Sequence, residues 1–361
     1  MGDFQVDIKP TTQFELFAGL ESTDHEQIVF CQDNATGLKA IIAIHNTVLG
    51  PGLGGTRMWM YNHEKDAIKD AMRLSRGMTY KAAVAGLNLG GAKAVIIGDP
   101  KEDKSEALFR AYGRYIESLN GRYITAEDVG MSTKDMEYVR METKHVTGIP
   151  QSMGGSGDPS PVTAYGVYMG MKASAQFLWK NNSLENKRIV VQGVGHVGEY
   201  LVKYLSKEGA NIFISDINQE KLEEVRDKYD ASIIDNDSIL DFQMDIYAPC
   251  ALGGILNTES INKLKCHIVC GGANNQLEDE DRDALHLKNR GIVLAPDFLV
   301  NSGGLINVYS EIKGYNQDKS LEKTKEIYDT TLDILEKSSS EDITSFSAAM
   351  NIAQERIKNS K

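Results

Sequence analysis

The chain has 361 residues, 41% of them hydrophobic and 25% charged, with a formal net charge of −12. That length can hold two domains with separate cores, and the acidic balance argues against a nucleic-acid partner, whose phosphates demand a basic patch. No apolar run nears the roughly 20 residues of a membrane helix, and the opening MGDFQVDIKPTTQF lacks the layout of a signal peptide.

IVFCQD and LKAIIAIH, joined by Asn34-Ala-Thr-Gly37, read as a hairpin within residues 27–44. GPGLGGTRMW follows, with Gly50, Gly52, Gly54 and Gly55, and reads as an irregular connection or a loop whose amides wrap a small anion. Ala67, Ile68, Ala71, Met72 and Leu74 predict a helix from Glu64 to Gly77, which leaves Thr79-Tyr80-Lys81 just past its end.

The next stretch is TYKAAVAGLNLGGAKAVIIGDP, in which Lys93 is the one charged side chain between Lys81 and Asp99. Burial disfavours an ammonium ion, so Lys93 can become a general base if a neighbouring charge tunes it. Lys81, twelve residues earlier, can hold an anionic substrate group. The alternative is a buried strand whose lysine snorkels to water. Residues 105–119 predict a second helix, and RYITAEDVG a short strand delivering Glu127 and Asp128. Asp128 either caps the helix that begins near Ser132 or offers a carboxylate to a cleft.

Residues 187–216 read KRIVVQGVGHVGEYLVKYLSKEGANIFISD. A strand runs into Gly193-Val194-Gly195-His196-Val197-Gly198, a helix follows, and a second strand ends at Asp216, 18 residues beyond the last glycine. Strand, glycines, helix and acid together form the dinucleotide fingerprint. The helix N-terminus would face the pyrophosphate. Asp216 would take the ribose hydroxyls and repel a 2′-phosphate, favouring NAD. MDIYAPCALGG, HIVCGGANNQ and GIVLAPDFLVNSGG read as further parallel strands, whose C-terminal ends place Ala248, Asn274, Asn275 and Asn301 at a cleft. Two helices, Ser320 to Lys337 and Ser345 to Lys358, close the chain around a polar break SSSED, and the last can return to the first domain or lie between subunits. Cys31, Cys250, Cys266 and Cys270 offer no second ligand pair for a metal and read as reduced thiols of a cytoplasmic protein.

LGGTRMW, RGMTYKAAVAGLNLGGAKAVIIGDP, RYITAEDVG, PSPVTAYGVY, QGVGHVG, APCALGG and NSGGLINV occur in this order, and by them the chain resembles the Glu/Leu/Phe/Val dehydrogenase family from about Phe14 to Ile357. The resemblance implies an α/β fold of two domains with a cleft between them. Residues 1–149, joined by a C-terminal helix at 342–361, would form the catalytic and assembly domain, and residues 150–341 the NAD-binding Rossmann domain. It implies reversible oxidative deamination of a branched-chain L-amino acid to its 2-oxo acid, with valine- or phenylalanine-directed activity as the neighbouring reading. A non-catalytic NAD or amino-acid sensor is the rival from another class. By resemblance Lys93 is the catalytic lysine and Asp128 its acid/base partner, while Lys81, aided by Gly54 and Gly55, binds the substrate carboxylate. Leu53, Met78, Ala126, Leu305 and Val308 would form an apolar side-chain pocket, with Asn301 near nicotinamide and substrate. Glutamate-directed members carry a lysine where this chain has Leu53. Thr163, the residues from Gly193 to Gly198, Ala248 and Asn275 would hold the cofactor. A homo-oligomer, an octamer by family expectation, is implied. The departures are about a dozen extra N-terminal residues, Asp158 in GDPSP, and the region around SSSEDITSFS.

Overall fold

A computed structural model describes residues 16–360; the N-terminal extension lies outside them. The first domain comprises α1 (Leu16–Thr23), β1 (Gln27–Asp33), β2 (Leu38–Asn46), β3 (Gly52–Leu53), β4 (Thr56–Trp59), α2 (Glu64–Val84), β5 (Gly90–Ile97), α3 (Glu106–Ser118), β6 (Tyr123–Ile124) and α4 (Thr133–Arg140). β1 and β2 form the expected hairpin, with Asp33 opposite Leu38, and β2 runs antiparallel to β5.

Beyond β5 the sheet is parallel, in the order β1-β2-β5-β3-β6 with β4 also on β5. The glycine-rich stretch is therefore sheet rather than loop. Leu53 pairs with Gly91 and Thr56 with Ala94, so Gly54 and Gly55 sit between two short strands on the same edge. A Cβ on Gly54 would lie 1.7 Å from the Ala92 carbonyl oxygen. Only glycine allows that approach, and it also hides the strand periodicity from the sequence. Side chains alternate across β5: Val95 packs with Ala67, Ala71 and Met72 of α2, whereas Ala92, Ala94 and Ile96 pack with α3 and α4.

The second domain comprises α5 (Ser160–Trp179), β7 (Arg188–Gln192), α6 (His196–Glu208), β8 (Asn211–Ser215), α7 (Gln219–Tyr229), β9 (Ser232–Ile233), β10 (Ile246–Pro249), α8 (Thr258–Lys263), β11 (Ile268–Val269), α9 (Glu280–Asn289), β12 (Val293–Leu294), α10 (Asp297–Val300), α11 (Gly303–Ile312) and α12 (Gln317–Ser340), and α13 (Ser345–Lys358) follows it. Its sheet is wholly parallel in the order β12-β11-β10-β7-β8-β9, a doubly wound arrangement. Ile189, Val191, Ile246 and Ala248 face α5, α6 and α12, while Val190, Tyr247 and Val269 face α8 and α9.

Two helix boundaries differ from expectation. α2 continues through Gly77 to Val84, so Lys81 lies in its last turn and not beyond it. Gly77 meets no neighbour that a Cβ would strike, and one exposed glycine costs a 21-residue helix only about 1 kcal/mol. The serines of SSSED belong to α12, which ends at Ser340, and Ser132 rather than Asp128 caps α4. All four cysteines are free, and among the described residues no helix is long and apolar enough to cross a membrane.

The two domains are tied at both ends of the second. Glu311, near the end of α11, accepts from the N–H groups of Gly148 (3.0 Å) and Ser156 (2.8 Å) in the connection between α4 and α5. α13 returns to the first domain and packs against α2. There Arg356 Nη1 donates to the carbonyls of Ala83 (3.0 Å) and Leu87 (2.8 Å), placing a cation at the negative end of the α2 dipole. Arg356→Ala should lower stability by about 1–3 kcal/mol; thermal unfolding of the variant, with far-UV circular dichroism to confirm native helix, checks this.

Candidate active site

A cleft of about 460 Å³ separates the two domains. Its first wall carries Lys93 from the middle of β5, Lys81 from the last turn of α2, and Asp128 from the segment after β6. Lys93 Nζ lies 3.0 Å from Asp128 Oδ1, with Lys93 only 6% exposed and Asp128 24% exposed toward the cleft. Gly55 makes this contact possible, because a Cβ there would lie 2.6 Å from the Glu127 carbonyl and 2.9 Å from the Asp128 side chain. Backbone smallness at one position thus brings the carboxylate onto the lysine.

The electrostatics follow from burial. Desolvation pushes the Lys93 pKa down, opposed by the neighbouring Asp128 carboxylate. Burial works against the Asp128 carboxylate too, but Lys93 and Arg57 outweigh it and hold its pKa below the usual value. Desolvation brings Lys81 down to about 8, with Asp297 opposing and Lys93 adding to the fall. Asp297, at the start of α10, is itself pushed up by burial and drawn back by Lys81. Lys81 Nζ donates to Asn301 Oδ1 at 2.6 Å, so the second domain supplies a partner to the first domain's lysine. Asn301 is fixed in turn by donating to Asn274 Oδ1 at 2.9 Å.

Leu53, Met78, Ala126, Leu305 and Val308 line the same cleft, joined by Leu74 and Phe298, which the sequence did not single out. Gly55, Thr163, Val197, Asn275 and Asn301 line it as well. Gly54 does not, and its N–H is bonded to the Ile124 carbonyl within the sheet at 3.2 Å. Ala248 also departs from its expected place: it is fully buried inside β10, on the face covered by α5 and α6. Strand alternation decides this, since a residue inside a doubly covered sheet cannot reach the strand's open end.

The glycine turn follows β7. Gly193 has φ +94°, and a Cβ on Gly198 would lie 1.9 Å from its carbonyl oxygen. Gly195 faces open space, and the N-terminus of α6, which includes His196, carries no side-chain cap. Asp216 directly follows β8 and accepts from the N–H of Val194 at 2.8 Å. Uncapped helix amides beside a carboxylate at the next strand end suit a dinucleotide's pyrophosphate and ribose. Among the described residues no cluster of histidine, cysteine and acid is placed to hold a metal. Arg57, Asp70 and Asp297 were not legible in the sequence. Arg57 sits in a run (TRMW) that resembles any half-exposed strand, and Asp70 in an ordinary amphipathic helix.

A dinucleotide-type sheet facing a lysine–carboxylate couple across a cleft with one apolar wall defines a dehydrogenase. Residues 25–145 match the family described as Glu/Leu/Phe/Val dehydrogenase, dimerisation domain, and residues 154–218 and 214–361 match Glutamate/Leucine/Phenylalanine/Valine dehydrogenase. The leucine dehydrogenase of Bacillus cereus is 55% identical over 348 residues, 96% of this chain and 94% of that protein. The leucine dehydrogenase of Thermoactinomyces intermedius is 53% identical over 95% of this chain and 94% of its own length. The crystal structure of L-tryptophan dehydrogenase from Nostoc punctiforme superposes with a TM-score of 0.87 at 43% identity, covering 95% of this chain and 99% of that one. The chain belongs to the Glu/Leu/Phe/Val dehydrogenase family. It is an amino-acid dehydrogenase, an oxidoreductase that uses a nicotinamide cofactor for oxidative deamination.

Only as an ammonium could Lys81 pair with a substrate carboxylate, and burial lowers its pKa to about 8. KM for the amino acid should therefore climb as pH rises through about 8, as Lys81 loses its charge. Lys81→Gln should raise KM roughly 10- to 150-fold, the worth of a charged hydrogen bond, and flatten that dependence. Steady-state kinetics from pH 7 to 10 test both.

Proposed function

We propose that this protein catalyses the NAD-dependent, reversible oxidative deamination of L-leucine and other branched-chain L-amino acids. The observation that carries the reading is the Lys93–Asp128 pair set beside Lys81 in a cleft walled by Leu53, Met78, Ala126, Leu305 and Val308. Lys81 would hold the substrate carboxylate, with Gly55 alongside. The apolar residues would take the side chain and refuse a second carboxylate, whose burial without a partner is costly.

The cofactor's nicotinamide, when bound, supplies the hydride acceptor. Lys93, its pKa lowered by burial, would take a proton from the water that adds to the substrate's iminium carbon. Asp128 would pass protons between Lys93 and the substrate nitrogen while the C–N bond breaks and ammonia leaves. Because the two groups lie 3.0 Å apart they titrate as a couple.

Residues 193–198 would hold the pyrophosphate at the α6 N-terminus, and Asp216 would select NAD over NADP. Thr163 and Asn275 line the cleft between that turn and the catalytic pair. Ala248, buried in β10, would support the strand end rather than touch the ring. Leucine takes precedence over bulkier substrates because the leucine dehydrogenases are 52–55% identical to this chain, against 44–45% for the tryptophan and 48% for the phenylalanine enzymes. We further propose a homo-oligomer, an octamer by family expectation, built through the first domain.

NADH formation at alkaline pH should be fastest with leucine, isoleucine and valine, weak with phenylalanine and nil with glutamate or with NADP as acceptor. Lys93→Ala should cut kcat by about 10²–10⁴. NAD binding without turnover of any amino acid would leave a sensor instead.

A further inference from the structure

The two oxygens of Asp128 have different cationic partners. Oδ1 faces Lys93 Nζ at 3.0 Å, and Oδ2 accepts from Arg57 Nε at 3.1 Å. Arg57 is held in turn, since its Nη1 donates to Asp70 Oδ2 at 2.9 Å. Asp70 also accepts from the Tyr61 hydroxyl at 2.8 Å and from Arg73 Nη2 at 3.1 Å. The side chains of Arg57 and Asp70 are 22% and 15% exposed, so this chain of charges runs mostly out of water. Three secondary elements meet in it: β4 gives Arg57, α2 gives Asp70, and β5 gives Lys93.

A guanidinium is planar, permanently charged, and presents its N–H groups in a fixed fork. Two of its nitrogens can hold two carboxylates at once at a set angle, which an ammonium on a flexible stem cannot do. Asp128 has one oxygen claimed and is left with a single orientation in which Oδ1 meets Lys93 and the cleft. We propose that Arg57, anchored by Asp70, is a positioning residue for the deamination reaction, fixing the carboxylate orientation and charge on which Lys93 depends. The proposal rests on the amino-acid dehydrogenase reading above.

The charge has a definite effect. Arg57 shares the Asp128 carboxylate with Lys93, so the carboxylate stabilises the Lys93 ammonium less than it would alone. Both groups are held lower by Arg57 than they would be without it. The other charged or titratable groups nearby are Lys81 and Arg73 on α2, Tyr61 before it, Tyr123 on β6, Glu127 beside Asp128, and Asp297 facing Lys81. Changing Arg57 removes none of these groups. Its loss should therefore move the titration of the Lys93–Asp128 couple to higher pH.

The test uses the full-length protein, leucine and NAD, with kcat and KM measured from pH 7 to 11 for wild type, Lys93→Ala, Arg57→Leu, Arg57→Lys and Asp70→Asn. Arg57→Leu should lower kcat about 10- to 100-fold, leave KM for leucine within about threefold, and shift the rising limb up by about one pH unit. Arg57→Lys should restore most of the limb position but not kcat, because it keeps the charge and loses the fork. Asp70→Asn should lower kcat less, with a smaller shift, and it carries the test alone if Arg57→Leu does not fold. Unchanged kcat and limb in folded Arg57 and Asp70 variants overturn the proposal. So does a raised KM with an unmoved limb, which would make Arg57 a substrate ligand. A fall in kcat that tracks lowered thermal stability with no shift of the limb also overturns it, leaving a structural role. Wild type that turns over leucine, with Lys93→Ala inactive, isolates these outcomes from the parent reading. Wild type without turnover overturns both.

Discussion

An ammonium ion set in the middle of a buried β-strand is the constraint to which the rest of this structure answers. Lys93 lies in β5 with hydrophobic residues on both sides, and an isolated charge there would be too costly to keep. The protein meets that demand with a carboxylate, Asp128, which must come within hydrogen-bond distance of a strand that is already paired. Gly55 in the neighbouring edge makes room for it. The carboxylate is then itself a buried charge, and Arg57 and Asp70 extend the alternation of sign until it reaches the surface at Arg73. Each member is satisfied by the next, so the network holds one arrangement, and its first two members are left with lowered proton affinities.

The substrate side of the cleft is not the property of one domain. Lys81 rises from the first domain, but the groups that surround it, Asn301 and Asp297, come from α10 and its C-cap in the second. The last turn of α2 is buried in the same core as the second sheet, with Val84, Leu87 and Leu89 sharing it with Ile189 and Val191. Glu311 and α13 add polar and helical ties at the two crossings of the chain. Any motion that opens the cleft must therefore turn about these ties, which favours a hinge of limited swing over free separation.

How much of this was legible in the sequence depended on the range of the interactions involved. The second sheet and its glycine turn could be read because strand, turn, helix and acid obey local rules over thirty residues. Lys93 stood out because a charge within an apolar run is itself a local contradiction. The ladder position of β3 was hidden because close packing demands glycines that carry no strand signal. α2 looked shorter than it is because an exposed glycine weakens a helix without ending it. Arg57 and Asp70 could not be read, since their significance is a contact between residues 13 apart on different elements with a third, Asp128, still farther along. Ala248 is buried within β10, because pattern locates a strand but not the point at which it leaves the sheet.

The return of α13 has a consequence for the order in which the molecule can be made. Chains emerge from the ribosome N-terminal end first, and domains generally fold as they appear. Here the helix that carries Lys81 receives its terminal cation from Arg356, which is translated after every strand of the second sheet. The first domain can collapse early around its sheet, but the end of α2 stays without its cap until the whole second domain has been synthesised and folded. A nascent chain in which α13 has not yet emerged therefore carries both sheets but an α2 whose last turn, with Lys81, still lacks its cation.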